Sequence, residues 1–286
     1  MRIIPITTQV AELRRRVKEL RKAGAEATIA LVPTMGALHE GHLDLVRLAK
    51  TKADRVVVSI FVNPKQFAPH EDFDRYPREI EADAGKLASV AADLIWAPSG
   101  AEMYPAGFAT RVETGGAALG LETEFRPHFF GGVTTVCCKL FSQVTPDVAI
   151  FGEKDFQQLC VLKQIVRDLN LPLEIIGAPT RREADGLALS SRNAYLTASE
   201  RAIAPALHST LVACGMAIRG GAVIEVATDA ARQAVLGAGF SKVDYIAAKD
   251  AETLAAPSQD RPLRLLAAAW LGKTRLIDNV GVLPNS

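Results

Sequence analysis

Residues 28–53, which read TIALVPTMGALHEGHLDLVRLAKTKA, contain a short apolar run, a turn and a stretch with helical periodicity. The apolar run covers 28–32 and ends at Pro33, and the helical stretch covers 41–53. A strand, a turn and a helix in this order are the first half of the unit from which parallel sheets are built. This segment therefore predicts an α/β protein.

The same alternation continues along the chain. Further strand-like runs, apolar on both faces as in a buried parallel sheet, lie at 56–62, 94–97, 148–151 and 173–177. Helical periodicity covers 77–90 and 156–169. After residue 193 come two helices, at 197–219 and 223–236, and three strands, at 243–248, 263–270 and 274–280. We therefore expect a Rossmann-like parallel-sheet domain at 1–185 and a smaller α+β C-terminal domain at 186–286.

Two local signals support the C-terminal elements. Thr197 and Glu200 have the spacing of a capping box at the start of the first helix. Gly272 and Lys273 lie between the last two strands, where such a dipeptide predicts a hairpin turn.

The composition excludes several classes of protein. The chain has 286 residues, of which 49% are hydrophobic and 23% charged, as in globular proteins rather than disordered ones. With 33 Lys+Arg against 32 Asp+Glu, the net charge of +1 creates no general field for nucleic acid or anionic lipid. Any anionic ligand must therefore be held by a local cluster. No apolar run approaches the ~20 residues that a membrane span needs, so we expect no membrane partner.

The cysteines and the N-terminus favour a cytoplasmic protein. Cys137, Cys138, Cys160 and Cys214 show neither CxxC nor metal-finger spacing. We interpret them as small core residues in a reducing compartment, with a redox role as the alternative. The N-terminus lacks the continuous apolar stretch and cleavage site of a secretory signal.

Ligands of open parallel sheets bind beyond the carboxyl ends of the strands, so the residues that follow each strand are candidates. After the first strand, His39 and His42 are three residues apart at a helix entrance, which places both imidazoles on one face. Free backbone N–H groups and the helix dipole favour an anion there. We predict a phosphate site in which an imidazole stabilises charge on an α-phosphate as pyrophosphate leaves. Two surface histidines or a metal pair are the alternatives, but no third His or Cys has suitable spacing.

Two later strands are also followed by polar residues. Gln66 follows the second strand, and its amide can both donate to and accept from a small polar acid, although a solvent loop explains it equally well. After the strand at 148–151, Gly152 permits close backbone approach and Lys154 supplies a mobile ammonium for phosphates. Asp155 stands at the N-cap of the next helix, so its carboxylate has capping as an alternative role.

A fourth candidate segment, 181-RREADGLALSSRNAYL-196, lies at the predicted domain junction. Ser190, Ser191 and Arg192 combine two hydroxyls with a guanidinium. A mobile segment of this kind can close on a triphosphate and neutralise the leaving pyrophosphate.

Other nucleotide-binding classes need motifs that the chain lacks. A dinucleotide-binding fold needs G-x-G-x-x-G after an early strand, and the only GKT, at 272–274, lies in a predicted hairpin rather than a P-loop. A nucleotidylyltransferase for a phosphorylated acceptor is the enzymatic alternative, but it predicts a cationic acceptor site where this chain offers Gln66 and Gln158. A non-enzymatic nucleotide-binding regulator is the other alternative.

Four segments together carry a family resemblance: PTMGALHEGH, FVNPKQF, FGEKDFQQL and EADGLALSSRNAYL, in this order and at this spacing, resemble the pantoate–β-alanine ligases. The resemblance covers almost the whole chain and is densest at 33–196. It implies that pantoate and Mg-ATP give an enzyme-bound pantoyl adenylate and pyrophosphate. The amine of β-alanine then attacks the acyl carbon and releases AMP and pantothenate. It also implies a homodimer that uses ATP and Mg²⁺.

The resemblance also implies residue roles. His39, His42 and Lys154 would be catalytic, with His42 as the acid. Gln66, Gln158, Asn63 and Tyr76 would hold pantoate, and Gln66 would also border β-alanine. Asp83 would help to hold Mg²⁺, whose other ligands would be ATP oxygens and water. The implied ATP site comprises Met35, Gly36, Ala37, Leu38, His39, Glu40, Gly41, His42, Gly152, Glu153, Lys154, Asp155, Arg181, Leu189, Ser190, Ser191 and Arg192.

The segment 126-RPHFF-130 departs from the family pattern. The family has a small residue and then His-Phe after Arg-Pro, whereas here His128 and Phe129 follow directly, so the family's histidine role does not carry over by position. We expect Arg126 at the pocket edge or across a dimer, and the apolar stretch 126–146 as a dimer contact.

Overall fold

Six parallel strands form the main sheet of the computed structural model, which describes residues 3–22, 26–68, 71, 73–258 and 260–283. The strands are β1 Ile6–Thr7, β2 Ile29–Thr34, β3 Arg55–Ile60, β4 Leu94–Trp96, β5 Val148–Gly152 and β6 Glu174–Ala178. Their order in the sheet is β1-β4-β3-β2-β5-β6, and every pairing is parallel.

Helices cover both faces of this sheet. They are α1 Val10–Lys22, α2 Glu40–Lys50, α3 Ile80–Ser89, α4 Gly100–Met103, α5 Glu122–Phe125, α6 Phe129–Val144 and α7 Phe156–Asp168. Because side chains alternate along a strand, Ile29 and Leu31 of β2 pack in one core with α1, α6 and α7. Ala30 and Val32 pack in another with α2 and α3. The strands are therefore buried on both faces, as predicted.

The strand order creates a topological switch point beside β2. From β2 the chain proceeds to β3 and β4 on one side and later returns to place β5 on the other side. The loops that follow β2 and β5 therefore diverge and leave a crevice at their carboxyl ends. The first of these loops carries the two histidines and the second carries Lys154.

A second, antiparallel sheet forms the C-terminal domain. Its elements are α8 Ala198–Ile203, α9 Ala206–Arg219, α10 Ile224–Gly237, β7 Lys242–Asp250, β8 Leu263–Leu271 and β9 Thr274–Val282, with strand order β7-β8-β9. Residues such as Leu211, Val235 and Leu265 form its core. The predicted hairpin and capping box are both confirmed. The fold class is thus confirmed, whereas the boundary between residues 185 and 186 stays a prediction.

Several elements differ from the sequence-based expectation. We did not predict β1, α1 or α6, and the single helix expected at 197–219 is two helices. It is divided near Pro205, because proline has no N–H to continue the helical hydrogen bonds. Helix α6 is buried inside the chain over most of its length, so its apolar character is explained by the core rather than by a dimer contact.

One helical segment in the described part of the chain, Ala198–Arg219, is long and apolar enough to cross a membrane by length and composition alone. This segment differs from the expectation, based on the sequence, that no apolar run approaches the length of a membrane span. In the structure, however, Leu207, Leu211 and Cys214 of this segment pack into the core against the second sheet. Core helices commonly satisfy the same criterion.

Candidate functional site

A cavity of about 620 Å³ lies in the crevice beyond β2 and β5, and the C-terminal domain covers one side of it. It contains most of the residues that the sequence predicted for the site. Those that line it are Met35, His39, Gly41, His42, Asn63, Gln66, Tyr76, Gly152, Lys154, Asp155, Gln158, Arg181, Leu189, Ser190, Ser191 and Arg192.

The other predicted ATP residues do not line the cavity, although they belong to the same loops. These are Gly36, Ala37, Leu38, Glu40 and Glu153. Glu40 faces outward, where its carboxylate pairs with Arg47 at 3.0 Å. Glu153 directs its carboxylate to Arg264 at 3.2 Å.

Asp83 supports the loop after β2 from behind and does not line the cavity. Its side chain is buried, and Oδ1 accepts a hydrogen bond from the backbone N–H of Leu38 at 2.9 Å. Oδ1 also lies 3.8 Å from Nζ of Lys86. Gly36 has a φ of +84°, and a Cβ there would lie 3.1 Å from Oδ2 of Asp83. Asp83 therefore holds the loop through Oδ1, whereas its buried Oδ2 has no hydrogen-bond partner among the described residues, and its role toward a metal stays a prediction.

The two histidines stack at the entrance of α2. Their ring centroids are 4.0 Å apart, and the backbone N–H of His39 donates to Nδ1 of His42 at 3.3 Å. This bond assigns the proton of the neutral His42 ring to Nε2. Gly41 allows the arrangement, because a Cβ there would lie only 3.0 Å from the His39 ring.

Both imidazoles are neutral near pH 7. Burial, followed by the charges of His39, Lys154 and Lys86, lowers the pKa of His42 to about 3. Burial and the two lysines also lower the pKa of His39. In the unliganded protein His42 is thus a neutral hydrogen-bond donor, and the role of acid that the resemblance implied stays a prediction. A developing phosphate charge could still be stabilised by that donor.

The turn after β5 places a cation opposite these rings. Lys154 lies in the 3₁₀ turn Glu153–Asp155, and its charge is close enough to contribute to the lowered pKa of both histidines. Its Nζ is 3.9 Å from Oδ2 of Asp155. Asp155 occupies the N-cap position of α7, but its side chain makes no capping hydrogen bond. The capping alternative for this carboxylate is therefore wrong.

A relay of hydrogen bonds orients the amide of Gln66. Asn63 donates from Nδ2 to Oε1 of Gln66 at 3.0 Å and to the carbonyl of Gly132 at 3.2 Å. Its Oδ1 accepts from the hydroxyl of Tyr104 at 2.8 Å. Because the polar atoms of Asn63 are already engaged, it positions Gln66 rather than a ligand. The donor group of Gln66 consequently turns toward Met35, with Nε2 3.0 Å from its sulfur.

Gln158 and Tyr76 also line the cavity. Gln158 is in the first turn of α7, half-buried and facing the cavity. Tyr76 is buried, and its hydroxyl lies 3.3 Å from Oγ of Ser191, which connects the loop after β3 with the segment 181–195.

The segment 181–195 is anchored to the C-terminal domain. Arg182 pairs with Ala188 across a short antiparallel bridge, and its guanidinium forms two hydrogen bonds to Asp278 of β9, at 2.7 and 2.8 Å. The side chain of Arg181 reaches Asp44 at 3.3 Å, so its main chain is the part nearer the cavity. Ser190 caps the next turn by accepting from the N–H of Arg192.

Arg126 lies in the cavity wall, which is one of the two places expected for it. Its guanidinium forms a bidentate pair with Glu71, at 2.7 and 2.8 Å, and donates to the carbonyl of Gln66 at 3.1 Å. It also stacks 4.0 Å above the ring of Phe129. His128 does not line the cavity, which agrees with the altered motif there.

The sequence analysis missed a buried polar cluster where the two domains meet. Glu122 of α5 accepts from the hydroxyl of Tyr245 at 2.8 Å and from Arg275 at 2.9 Å. Arg275 also pairs with Asp244 at 2.7 Å. These residues are more than 100 positions apart from Glu122, so no local sequence signal could have found the cluster.

The fold and the site together define a Rossmann-like nucleotide-dependent enzyme with an HxGH motif, His39 to His42, at the helix entrance beside the switch point. A family model described as "Pantoate-beta-alanine ligase" matches residues 5–281. The chain belongs to this family, as the sequence resemblance indicated.

Individual relatives agree with this assignment. A pantothenate synthetase of Mesorhizobium japonicum is 57% identical over 277 residues, 97% of each chain. One of Caulobacter vibrioides is 55% identical over 281 residues, 97% of this chain and 98% of the relative. The crystal structure of pantothenate synthetase from Thermus thermophilus superposes with a TM-score of 0.89 at 43% identity, covering 98% and 100% of the chains. Pantoate-beta-alanine ligase from Francisella tularensis, complexed with beta-gamma ATP and beta-alanine, has a TM-score of 0.80 at 34% identity and 97% coverage of both.

Proposed function

We propose that the cavity condenses pantoate with β-alanine at the expense of ATP in two steps. The pantoate carboxylate first attacks the α-phosphorus, which gives pantoyl adenylate and releases pyrophosphate. The β-alanine amine then attacks the acyl carbon, which releases AMP and pantothenate. One observation carries the proposal: two neutral imidazoles and a lysine line the same cavity as two neutral carboxamides. The Francisella relative is complexed with beta-gamma ATP and beta-alanine, which supports the choice of ligands.

The phosphates of ATP belong at the entrance of α2. Free N–H groups at this helix end and the Nε2–H of His42 supply neutral donors, and Lys154 supplies the positive charge. Charge develops on the α-phosphate and on pyrophosphate during adenylation. Donors that are already oriented stabilise this charge without reorganisation, which lowers the barrier to the step.

Pantoate belongs beside Gln66 and Gln158. One N–H of the fixed Gln66 amide donates to the sulfur of Met35, and the other is left for the acid. The amide of Gln158 can pair with the hydroxyl groups. Neutral amides orient a carboxylate without the strong electrostatic stabilisation of a salt bridge, so its oxygen keeps its nucleophilic character. Holding the acid in line with the α-phosphorus lowers the entropic part of the barrier.

The second step needs no covalent intermediate on the protein. A free carboxylate is a poor acyl donor because its leaving group would be oxide, whereas the adenylate releases the stabilised anion AMP. The ribose would lie near Asp155, and adenine near the main chain of Arg181. Ser190, Ser191 and Arg192 would contact the phosphates from the C-terminal side, with the main chain of Leu189 beside them.

The residues that the structure describes do not form a protein cage for Mg²⁺. No group of three or more His, Cys, Asp or Glu side chains with metal-binding geometry occurs among them. Asp83, the candidate ligand, does not line the cavity, and its Oδ1 accepts from the backbone of Leu38. Mg²⁺ prefers phosphate oxygens and water, so we propose that it arrives as part of the ATP substrate.

A cytoplasmic location and a homodimer also stay proposals. Cys137, Cys138, Cys160 and Cys214 are free thiols, and burial raises the pKa of the Cys160 thiol to about 11, which favours the unreactive protonated form. These thiols suit a reducing compartment.

Exchange of labelled pyrophosphate into ATP tests the proposed reaction. We expect exchange with pantoate present and β-alanine absent, because adenylation is reversible and independent of the amine. Exchange without any acid, or only with a phosphorylated acceptor, would instead support the nucleotidylyltransferase alternative. In the His42→Ala variant, kcat for exchange should fall by about two orders of magnitude. His128→Ala, which alters a histidine outside the cavity, is the matched control and should exchange normally.

A further inference from the structure

We propose that Asn279, on the last strand of the C-terminal domain, is a positioning residue for Lys154. Asn279 fixes the backbone of the turn from which the lysine side chain extends, so that the ammonium faces the two imidazoles. The inference rests on the proposed role of Lys154 at the phosphates. It assigns to the C-terminal domain a part in adenylation beyond covering the cavity.

The amide of Asn279 holds both carbonyls of the turn. Its Nδ2 donates to the carbonyl oxygen of Glu153 at 3.0 Å and to that of Lys154 at 2.8 Å. The side chain lies in β9 and the residue is only 3% exposed. A hydrogen bond shielded from water in this way is stronger and better defined than one on the surface. One side chain therefore holds two successive peptide groups.

The orientation of this amide is unambiguous. Arg264 of β8 donates from Nε to Oδ1 of Asn279 at 2.6 Å. A guanidinium can only donate and a carbonyl can only accept, so the oxygen must face Arg264 and the nitrogen must face the turn. Arg264 thus sets the amide in the one orientation that allows it to hold both carbonyls.

Arg264 also contacts two residues near Lys154 in the chain, one before it and one two positions after it. It pairs with the carboxylate of Glu153 at 3.2 Å, and its guanidinium lies 4.0 Å above the ring of Phe156. The contacts from β8 and β9 therefore reach the backbone of the turn and the side chains of Glu153 and Phe156. Asn279 lines the cavity together with Lys154, but its Nδ2 is engaged with the two carbonyls. Asn279 consequently acts through the backbone of Lys154.

The backbone of the turn has to be held in place because a small change in its orientation displaces the end of a long side chain by a larger distance. Lys154 carries its charge at the end of four methylene groups, on a short 3₁₀ turn between β5 and α7. A small rotation of the turn moves the ammonium away from the imidazoles. Displacements of about 1 Å in a catalytic group can cost up to a hundredfold in rate.

Variants at Asn279 test the inference in the pantoate-dependent pyrophosphate exchange. Asn279→Asp keeps the volume and the acceptor for Arg264 but cannot donate to the carbonyls when ionised, and Asn279→Ala removes both functions. We expect kcat/KM for ATP to fall by about ten- to a hundredfold in both variants, by analogy with other misplaced catalytic groups. The KM for pantoate should change less than twofold. Val280→Ala, which removes apolar packing from the same strand, should leave both parameters near those of the unmodified protein.

A double-mutant cycle separates positioning from general damage to the fold. If Asn279 acts through Lys154, adding Asn279→Ala to Lys154→Ala should lower kcat/KM for ATP by less than twofold further. Fully additive losses of kcat/KM for ATP would overturn the inference. A rise in the KM for pantoate as large as the fall in kcat/KM for ATP would also overturn it. Should Asn279→Ala not fold, the same cycle is run with Asn279→Asp.

Two further outcomes tell this inference apart from the proposed function. Normal kinetics in Asn279→Ala together with a severe loss in Lys154→Ala would overturn the positioning role alone. Normal exchange in Lys154→Ala would overturn the phosphate role of the lysine and the inference with it.

Discussion

Lowering the pH from 7.5 to 5 should destabilise this protein through His42. Burial and nearby positive charges lower its pKa in the folded state to about 3, whereas an unfolded chain has a histidine pKa of 6.5. The folded state therefore binds fewer protons than the unfolded state between these two values. Above pH 6.5 His42 is neutral in the folded and in the unfolded state, so its titration costs no stability. The free energy of unfolding falls as the pH drops below that value.

The magnitude follows from the distance between the pH and the unfolded pKa. Between pH 6.5 and pH 5, an interval of about 1.5 pH units, the histidine is protonated in the unfolded chain but not in the folded protein. At 1.36 kcal/mol per unit this costs about 2 kcal/mol relative to pH 7.5. One edge of the ring faces the cavity, where water screens part of the effect, so we expect a loss of about 1–2 kcal/mol.

Urea denaturation at the two pH values measures this loss against a His42→Asn variant. Asparagine keeps an acceptor near the position of Nδ1 for the backbone N–H of His39 but does not titrate. The free energy of unfolding should therefore fall by about 1–2 kcal/mol more in the unmodified protein than in the variant. A His128→Asn variant controls for the loss of a histidine elsewhere. Equal losses in the unmodified protein and in His42→Asn would mean that His42 is not held neutral by the fold.

Three further predictions concern binding and stability. Gln158→Ala should raise the KM for pantoate by about three- to tenfold, as expected for a lost neutral hydrogen bond, and leave the KM for ATP unchanged. Steady-state kinetics measure both constants, and a larger change in the KM for ATP would mean that the pocket is misassigned. Arg182→Ala should lower the free energy of unfolding by about 3–5 kcal/mol, because Asp278 stays buried without its bidentate partner. Urea denaturation should show much of that loss recovered when Asp278→Ala is added, and no recovery would contradict the pairing argument. Leu211→Ala, in the core of the C-terminal domain, should cost about 2–5 kcal/mol in the same assay, and a loss under about 1 kcal/mol would mean that this core is loosely packed.

The main sheet could be predicted because its signals are local. Each strand after β1 is a short apolar run, and the helices that follow β2 and β5 have clear periodicity. Helix α6 escaped prediction because Gly131, Gly132, Thr134 and Thr135 have low helix propensity. The packed structure explains why two of these residues are there. A Cβ on Gly132 would collide with the carbonyl of Lys65, and the hydroxyl of Thr134 donates to the carbonyl of Phe130.

Which residues form the candidate site could largely be predicted from the sequence, but what each of them binds could not. Parallel strands end at one edge of a sheet, so most of the residues predicted from the segments after the strands line the cavity. Asp83 and Asn63 were assigned to ligands, yet both are engaged with protein groups, Asp83 with a backbone N–H and Asn63 with Gln66. Spacing along the chain does not tell whether a polar atom is already paired.

The strands β2 to β9, the helices that follow β2, β3 and β5, the HxGH entrance and the family therefore followed from the amino-acid sequence alone. These properties depend on periodicity and turn chemistry, which act over a few residues. The tertiary structure decided that His42 is neutral, that Arg126 lies in the cavity wall and that Asn279 reaches Lys154 across 125 positions. Burial and hydrogen bonds between distant segments arise only when the chain is packed, because packing determines which groups lose water and which gain a partner.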